Sequence, residues 1–95
     1  MKDDFILTWD DTKREATLQE RGIDFADMAV FDWGRSLTAQ DDRQSYPEVR
    51  YVSIGHMGNT VVVCVWCYRN DTIRIISLRK ANERERKRYE QTPDW

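Results

Sequence analysis

Residues 60 to 68, TVVVCVWCY, put apolar side chains on both faces of any strand they form. Side chains alternate across a strand, so one that is wetted on one side shows apolar residues only at every second position. This run therefore belongs in the middle of a sheet covered, at least partly, on both sides. The run TIRIISLR (72 to 79) makes nearly the same demand and follows after Arg69-Asn70-Asp71, a turn sequence. Neither run approaches the roughly 20 apolar residues of a membrane span.

The remaining elements arrange themselves around that pair. FILTW (5 to 9) reads as a first strand, ended by Asp10 and Asp11, which cap a helix that stops at Gly22. That helix has few apolar positions, chiefly Ala16 and Leu18, and should lie shallowly on the domain. A second helix is expected from Asp24, with Ile23 and Met28 placed for a hydrophobic staple and Phe25, Met28 and Ala29 on one face. RSLTA (35 to 39) reads as an edge strand, and DDRQSYPE as loop, with Pro47 opposing a central strand there. RYVSIG (50 to 55) alternates, and Gly58-Asn59 is a hairpin turn leading into the apolar run. A last helix begins near Asn82, with Glu85 at capping-box spacing, and ends near Tyr89. It is so polar that it needs a sheet, through Ala81 and Tyr89, or a partner to lean on. The expected order is β-α-α-β-β-β-β-α, an α+β domain with a mainly antiparallel sheet, two N-terminal helices and a short C-terminal one. Residues 1 to 95 are expected to make one domain.

Charge is unevenly distributed. Residues 1 to 48 hold six Lys/Arg against twelve Asp/Glu, a balance of −6, whereas residues 49 to 95 hold nine against five, a balance of +4. A basic half on a mildly acidic chain can serve a polyanion without coating the whole surface, or can simply neutralise the other half. The beginning, MKDDFILTWDD, has no apolar stretch long enough for a signal peptide, so a cytosolic protein is expected. Cys64 and Cys67 fall on opposite faces of their strand; with a single histidine, His56, and no second CxxC, buried structural thiols are expected rather than zinc or redox chemistry.

No phosphate loop, HExxH or nucleophile elbow is present. What remains is a set of arginines and carboxylates at strand ends and in the 41 to 50 loop: Asp42, Glu48, Arg50, Arg74 and Arg79, with Lys13, Tyr51 and Tyr89 available. Strict alternation puts Arg74 and Arg79 on opposite faces of the last strand, and they meet only if a bulge re-aims one of them. A guanidinium in an apolar strand needs a carboxylate or the mouth of a cleft, so both an ion pair and a phosphate site stay open.

The chain resembles the BrnT family, ribonuclease toxins of bacterial type II toxin–antitoxin systems with a RelE-like fold. The resemblance runs through Trp9-Asp10, Lys13, Gly22, Phe25, Val30-Phe31, Asp41-Asp42-Arg43, Glu48-x-Arg50, Ile54-Gly55, Arg74-Ile75-Ile76-Ser77-x-Arg79-x-Ala81, Glu85 and Tyr89. It departs where relatives usually carry Lys-His-Gly and this chain has Glu20-Arg21-Gly22, and where Thr17 replaces a frequent asparagine. Arg21 can replace the charge of that histidine but not its acid–base role.

What the resemblance implies is RNA cleavage by the ribose 2′-OH, with no metal and no cofactor. Glu48 would be the base, Arg74 and Arg79 the charge stabilisers, Arg50 the phosphate-positioning group, and Lys13 or Tyr89 the acid. His56, beside a glycine turn, reads as a surface histidine. The resemblance also implies neutralisation by a BrnA-like antitoxin, as a homodimer or a hetero-oligomer with it, and the charged last helix, Trp33 and Trp95 are the candidate contacts. The competing reading is a non-catalytic module of the same fold that binds antitoxin or nucleic acid.

Overall fold

The computed structural model describes residues 6–91. Its elements are β1 (Leu7–Trp9), α1 (Asp11–Arg21), two 3-10 segments (Phe25–Val30 and Trp33–Arg35), β2 (Leu37–Asp41), β3 (Arg50–Met57), β4 (Thr60–Arg69), β5 (Thr72–Lys80) and α2 (Glu83–Glu90). The five strands form one sheet in the order β1-β5-β4-β3-β2. The two apolar runs, β4 and β5, are thus interior strands, as their composition requires. β2 to β5 form an antiparallel meander, while β1 joins β5 in parallel. The expected first strand began at Phe5, which lies outside the described residues.

Local chemistry sets the boundaries. Asp10 caps α1 by accepting from the Lys13 amide, and Gly22, at φ 71°, supplies the left-handed residue that ends it. No residue of α1 is buried, so it does lie shallowly. The β4–β5 turn uses Asn70 and Asp71, both with positive φ, the requirement of a two-residue type I′ hairpin. Asn82 and Glu85 complete the capping box of α2.

Two expectations need correction. The second helix is not α but 3-10: Asp24 accepts from Ala26, two residues on, and winds the chain tightly, while Phe25 and Met28, three apart, still share a buried side. The edge strand begins at Leu37 rather than Arg35, because Trp33–Arg35 forms a 3-10 turn closed by Ser36 bonding to the Trp33 carbonyl.

One face of the sheet carries the core. Ile23, Phe25, Met28 and Phe31 pack onto Val62, Cys64 and Trp66 of β4 and Ile73, Ile75 and Leu78 of β5. Trp66 lies at its aromatic end, stacked on Tyr51 at 4.8 Å and edge-on to Trp33 at 5.3 Å. Trp33 is therefore half-buried against the core and is not a free exposed aromatic; Trp95 lies outside the described residues. The glycine of the Ile54-Gly55 pair has a packing reason, since a Cβ there would stand 2.9 Å from the Phe31 ring and 3.1 Å from the Ser36 side chain. Cys64 and Cys67 are free, buried and on opposite faces, and burial pushes the Cys64 thiol up to about 12.

Candidate nucleic-acid interface

The second face of the sheet is built by one irregularity. Along β5, Val65 pairs with Ser77 but Trp66 pairs with Ile75, so Ile76 is an extra residue in the ladder. A bulge of this kind reverses the alternation beyond it. Ile73, Ile75 and Leu78 consequently all turn into the core, and Arg74 and Arg79 both turn to the other side. Their β4 partners, Cys67 and Val63, lie on that same side of β4. Strict alternation would have separated the two arginines; the bulge brings them together.

Arg50 joins them. It is paired with Asp41 across β2–β3, one step beyond the Tyr51–Trp66 pair, and therefore on the face that carries Cys67. Glu48 accepts from Arg50 Nε at 2.8 Å and lies 3.5 Å from Arg69, which closes β4 on the same side. Arg79 donates through both terminal nitrogens to Glu85 of α2, each at 2.7 Å. Arg43, from the loop after β2, donates through Nε and Nη2 to Asp41 at 2.8 and 2.9 Å. Its charge opposes that of Arg79. Five arginines, at 43, 50, 69, 74 and 79, thus gather on one face, and four of them are steadied by Asp41, Glu48 or Glu85.

The fifth is different. Arg74 is half-buried in the middle of the row between β1 and β4, yet among the described residues its side chain makes no ion pair or hydrogen bond. A carboxylate partner was one of two ways to accommodate it, and the described residues provide none. A partly desolvated, unpartnered guanidinium among other guanidiniums is the arrangement of an anion site.

Of the remaining candidates, Tyr89 reaches the arginine side of the sheet, where His56 stands beside Val61 of β4. Tyr89 donates its hydroxyl to the Arg35 carbonyl at 2.8 Å and faces His56 Nδ1 at 3.4 Å, which ties α2 to the sheet. Lys13 is exposed on α1, and no hydrogen bond or ion pair among the described residues links its ammonium to the arginine face. Asp42 is exposed beside Asp41. Sequence reasoning left out Arg43 and Arg69 as site residues. Asp41-x-Arg43 at a strand end was the available signal for the first; Arg69 looked like a turn residue, and only the tertiary approach of Glu48 marks it.

A match to the model of the ribonuclease toxin BrnT of type II toxin–antitoxin systems covers residues 9–85 of the 95. The chain belongs to the BrnT family. No curated protein matches it. A BrnT-type chain is a toxin of the ribonuclease class, and the family implies an RNA target and an antitoxin partner. The arginine face is the part of this BrnT chain suited to a polyanion. No helix among the described residues is long and apolar enough to cross a membrane.

The Arg79–Glu85 pair also predicts a pH effect. The guanidinium and the Asn82 amide hold the Glu85 carboxyl down to about 2, below its ordinary 4.5. A carboxyl whose folded pKa is depressed contributes stability above its unfolded value and loses it as pH falls through the folded one. The melting temperature should therefore drop between about pH 4.5 and pH 2, and a Glu85→Gln variant should show a shallower drop. Asp41, also held near 2 by Arg43, keeps part of the slope in that variant. Identical melting curves against pH for the two proteins would remove Glu85 from this account.

Proposed function

We propose that the chain is a growth-inhibiting endoribonuclease toxin of RelE-like architecture that cleaves RNA in the cytoplasm without a metal, by attack of a ribose 2′-OH on the neighbouring phosphorus. The observation that carries this reading is Arg74, half-buried on a face of arginines with no carboxylate of its own among the described residues. In the proposed reaction Arg74 and Arg79 meet the negative charge that develops on the phosphoryl oxygens, and Arg50 positions the phosphate. Glu48, steadied by Arg50 and Arg69, takes the 2′-OH proton. Tyr89 tethers α2 through its bond to the Arg35 carbonyl and keeps its proton, so in this reaction it is the acid for the leaving oxygen. Arg21 donates to the Leu78 carbonyl at 2.9 Å, on the edge of β5 beyond its three pairs with β1. A BrnA-like antitoxin would silence the toxin.

The chemistry fixes the products. The 2′-oxygen bonds to phosphorus as its proton passes to Glu48, the P–O5′ bond breaks, and the 5′-oxygen takes a proton from Tyr89 or from water, leaving a 2′,3′-cyclic phosphate, or the monoester derived from it, and a 5′-hydroxyl. The test is to incubate purified protein with end-labelled RNA in the presence of a chelator and to analyse both new ends. Fragments with 5′-phosphate and 3′-hydroxyl ends would overturn the mechanism. RNA that is bound but stays intact would instead mark a non-catalytic binding module.

A further inference from the structure

Asp41 ends β2, the edge strand, where a carboxylate would ordinarily be wet. Its side chain is only 1% exposed. It accepts from Arg43 Nε at 2.8 Å, Arg43 Nη2 at 2.9 Å, the Arg43 amide at 3.3 Å and the Tyr46 hydroxyl at 3.2 Å. Burying a carboxylate is an expensive way to finish an edge strand, and an apolar residue of similar size would hold the strand end as well. What the carboxylate supplies, and an apolar residue cannot, is direction for its donors.

Those donors are displayed rather than stored. The Arg43 side chain is 71% exposed, and its bonds to Asp41 use Nε and Nη2, so the whole of Nη1 stays available. Asp41 pairs across β2–β3 with Arg50 and so puts Arg43 on the arginine face, as Glu85 steadies Arg79 there. Tyr46, the other donor to Asp41, sets its ring 4.2 Å from the Arg50 guanidinium, so the same carboxylate also steadies Arg50. The loop between β2 and β3 has no regular structure, and this network is what orders it.

We propose that Asp41 is a positioning residue that holds Arg43 on the arginine face as a contact for an RNA backbone phosphate. The inference rests on the RNA-cleaving reading of that face and adds to it a residue, Arg43, outside the proposed chemistry. Salt dependence separates this role from a structural one. Each phosphate contact with a single strand contributes about 0.7 to the slope of log affinity against log salt.

The experiment measures binding of a single-stranded RNA carrying 2′-O-methyl groups, which cannot be cut by 2′-OH attack, across a salt series. It compares wild type, Asp41→Asn, Arg43→Ala and the double variant, with a melting curve for each. Arg43→Ala and Asp41→Asn should each lower the slope by about 0.7, and the double variant should fall no further than Arg43→Ala alone. An unchanged slope in Arg43→Ala overturns the proposal, and that exposed site makes the result independent of whether Asp41→Asn folds. A lowered slope in Arg43→Ala with a wild-type slope in Asp41→Asn overturns the positioning role. A purely structural Asp41 would lower the melting temperature and leave the slope unmoved. If wild type fails to bind the oligonucleotide at all, the failure lies in the RNA reading itself.

Discussion

Arg74→Ala should cut RNA about 10²–10³-fold more slowly than wild type, the usual scale for removing one preorganised donor to a developing negative charge. Its melting temperature should hold or rise. The two halves of this result belong together, because Arg74 makes no ion pair or hydrogen bond among the described residues, so truncation breaks none. It also removes a half-buried charge from a face that already carries four other arginines. Arg79→Ala is the informative contrast. It should lose activity as well, but it strips Glu85 of a bidentate partner and loosens α2, so its melting temperature should fall. Arg74→Lys keeps the charge without the planar fork and should lie between wild type and Arg74→Ala in rate. Initial rates on one RNA, with a melting curve for each variant, decide the matter. Equal rates for wild type and Arg74→Ala would remove Arg74 from the site.

The bulge explains why this site was only half legible. In IRIISLR, apolar residues occupy both parities, so nothing in the run says which isoleucine is the extra one. The core decides, by taking Ile73, Ile75 and Leu78 and leaving Ile76 out of register. The strands themselves were readable because burial on two faces and burial on one leave different patterns, and β3 to β5 have those patterns. The 3-10 geometry after Asp24 was not, since α and 3-10 helices both put residues three apart on one side, and Phe25 and Met28 satisfy either. The parallel pairing of β1 with β5 rests on three residue pairs and is set by tertiary packing, not by any local signal. Glu48 and Arg50 were legible as candidates but not as the ion pair they form two residues apart, and the approach of Arg69 to Glu48 leaves no trace in spacing.

Trp66→Ala tests the other face of the sheet and should be the most destabilising single change in the aromatic cluster, at about 3–5 kcal/mol. The ring is 5% exposed, stacked on Tyr51 and edge-on to both Trp33 and Tyr68. Its Nε1 donates to Ser53 Oγ at 2.9 Å, and Ser53 in turn bonds Thr38 at 2.7 Å, so one chain of hydrogen bonds ties β4, β3 and β2 together. Truncation removes the ring contacts and the Ser53 bond at once and leaves a cavity too central for a sheet to close. Against a total stability of about 5–15 kcal/mol for a small domain, this loss should leave a fraction of the variant unfolded at 37 °C. Trp66→Phe keeps a ring, loses the one hydrogen bond and should cost about 1–2 kcal/mol. Urea unfolding measures both. The functional corollary follows from geometry, since Trp66 points into the core while Val65 and Cys67, on either side of it, point to the arginine face. Cleavage by Trp66→Ala should therefore track its folded fraction and recover toward the wild-type rate on cooling. A fully folded Trp66→Ala protein that still cannot cut RNA would move the site to the aromatic face and overturn its assignment to the arginines.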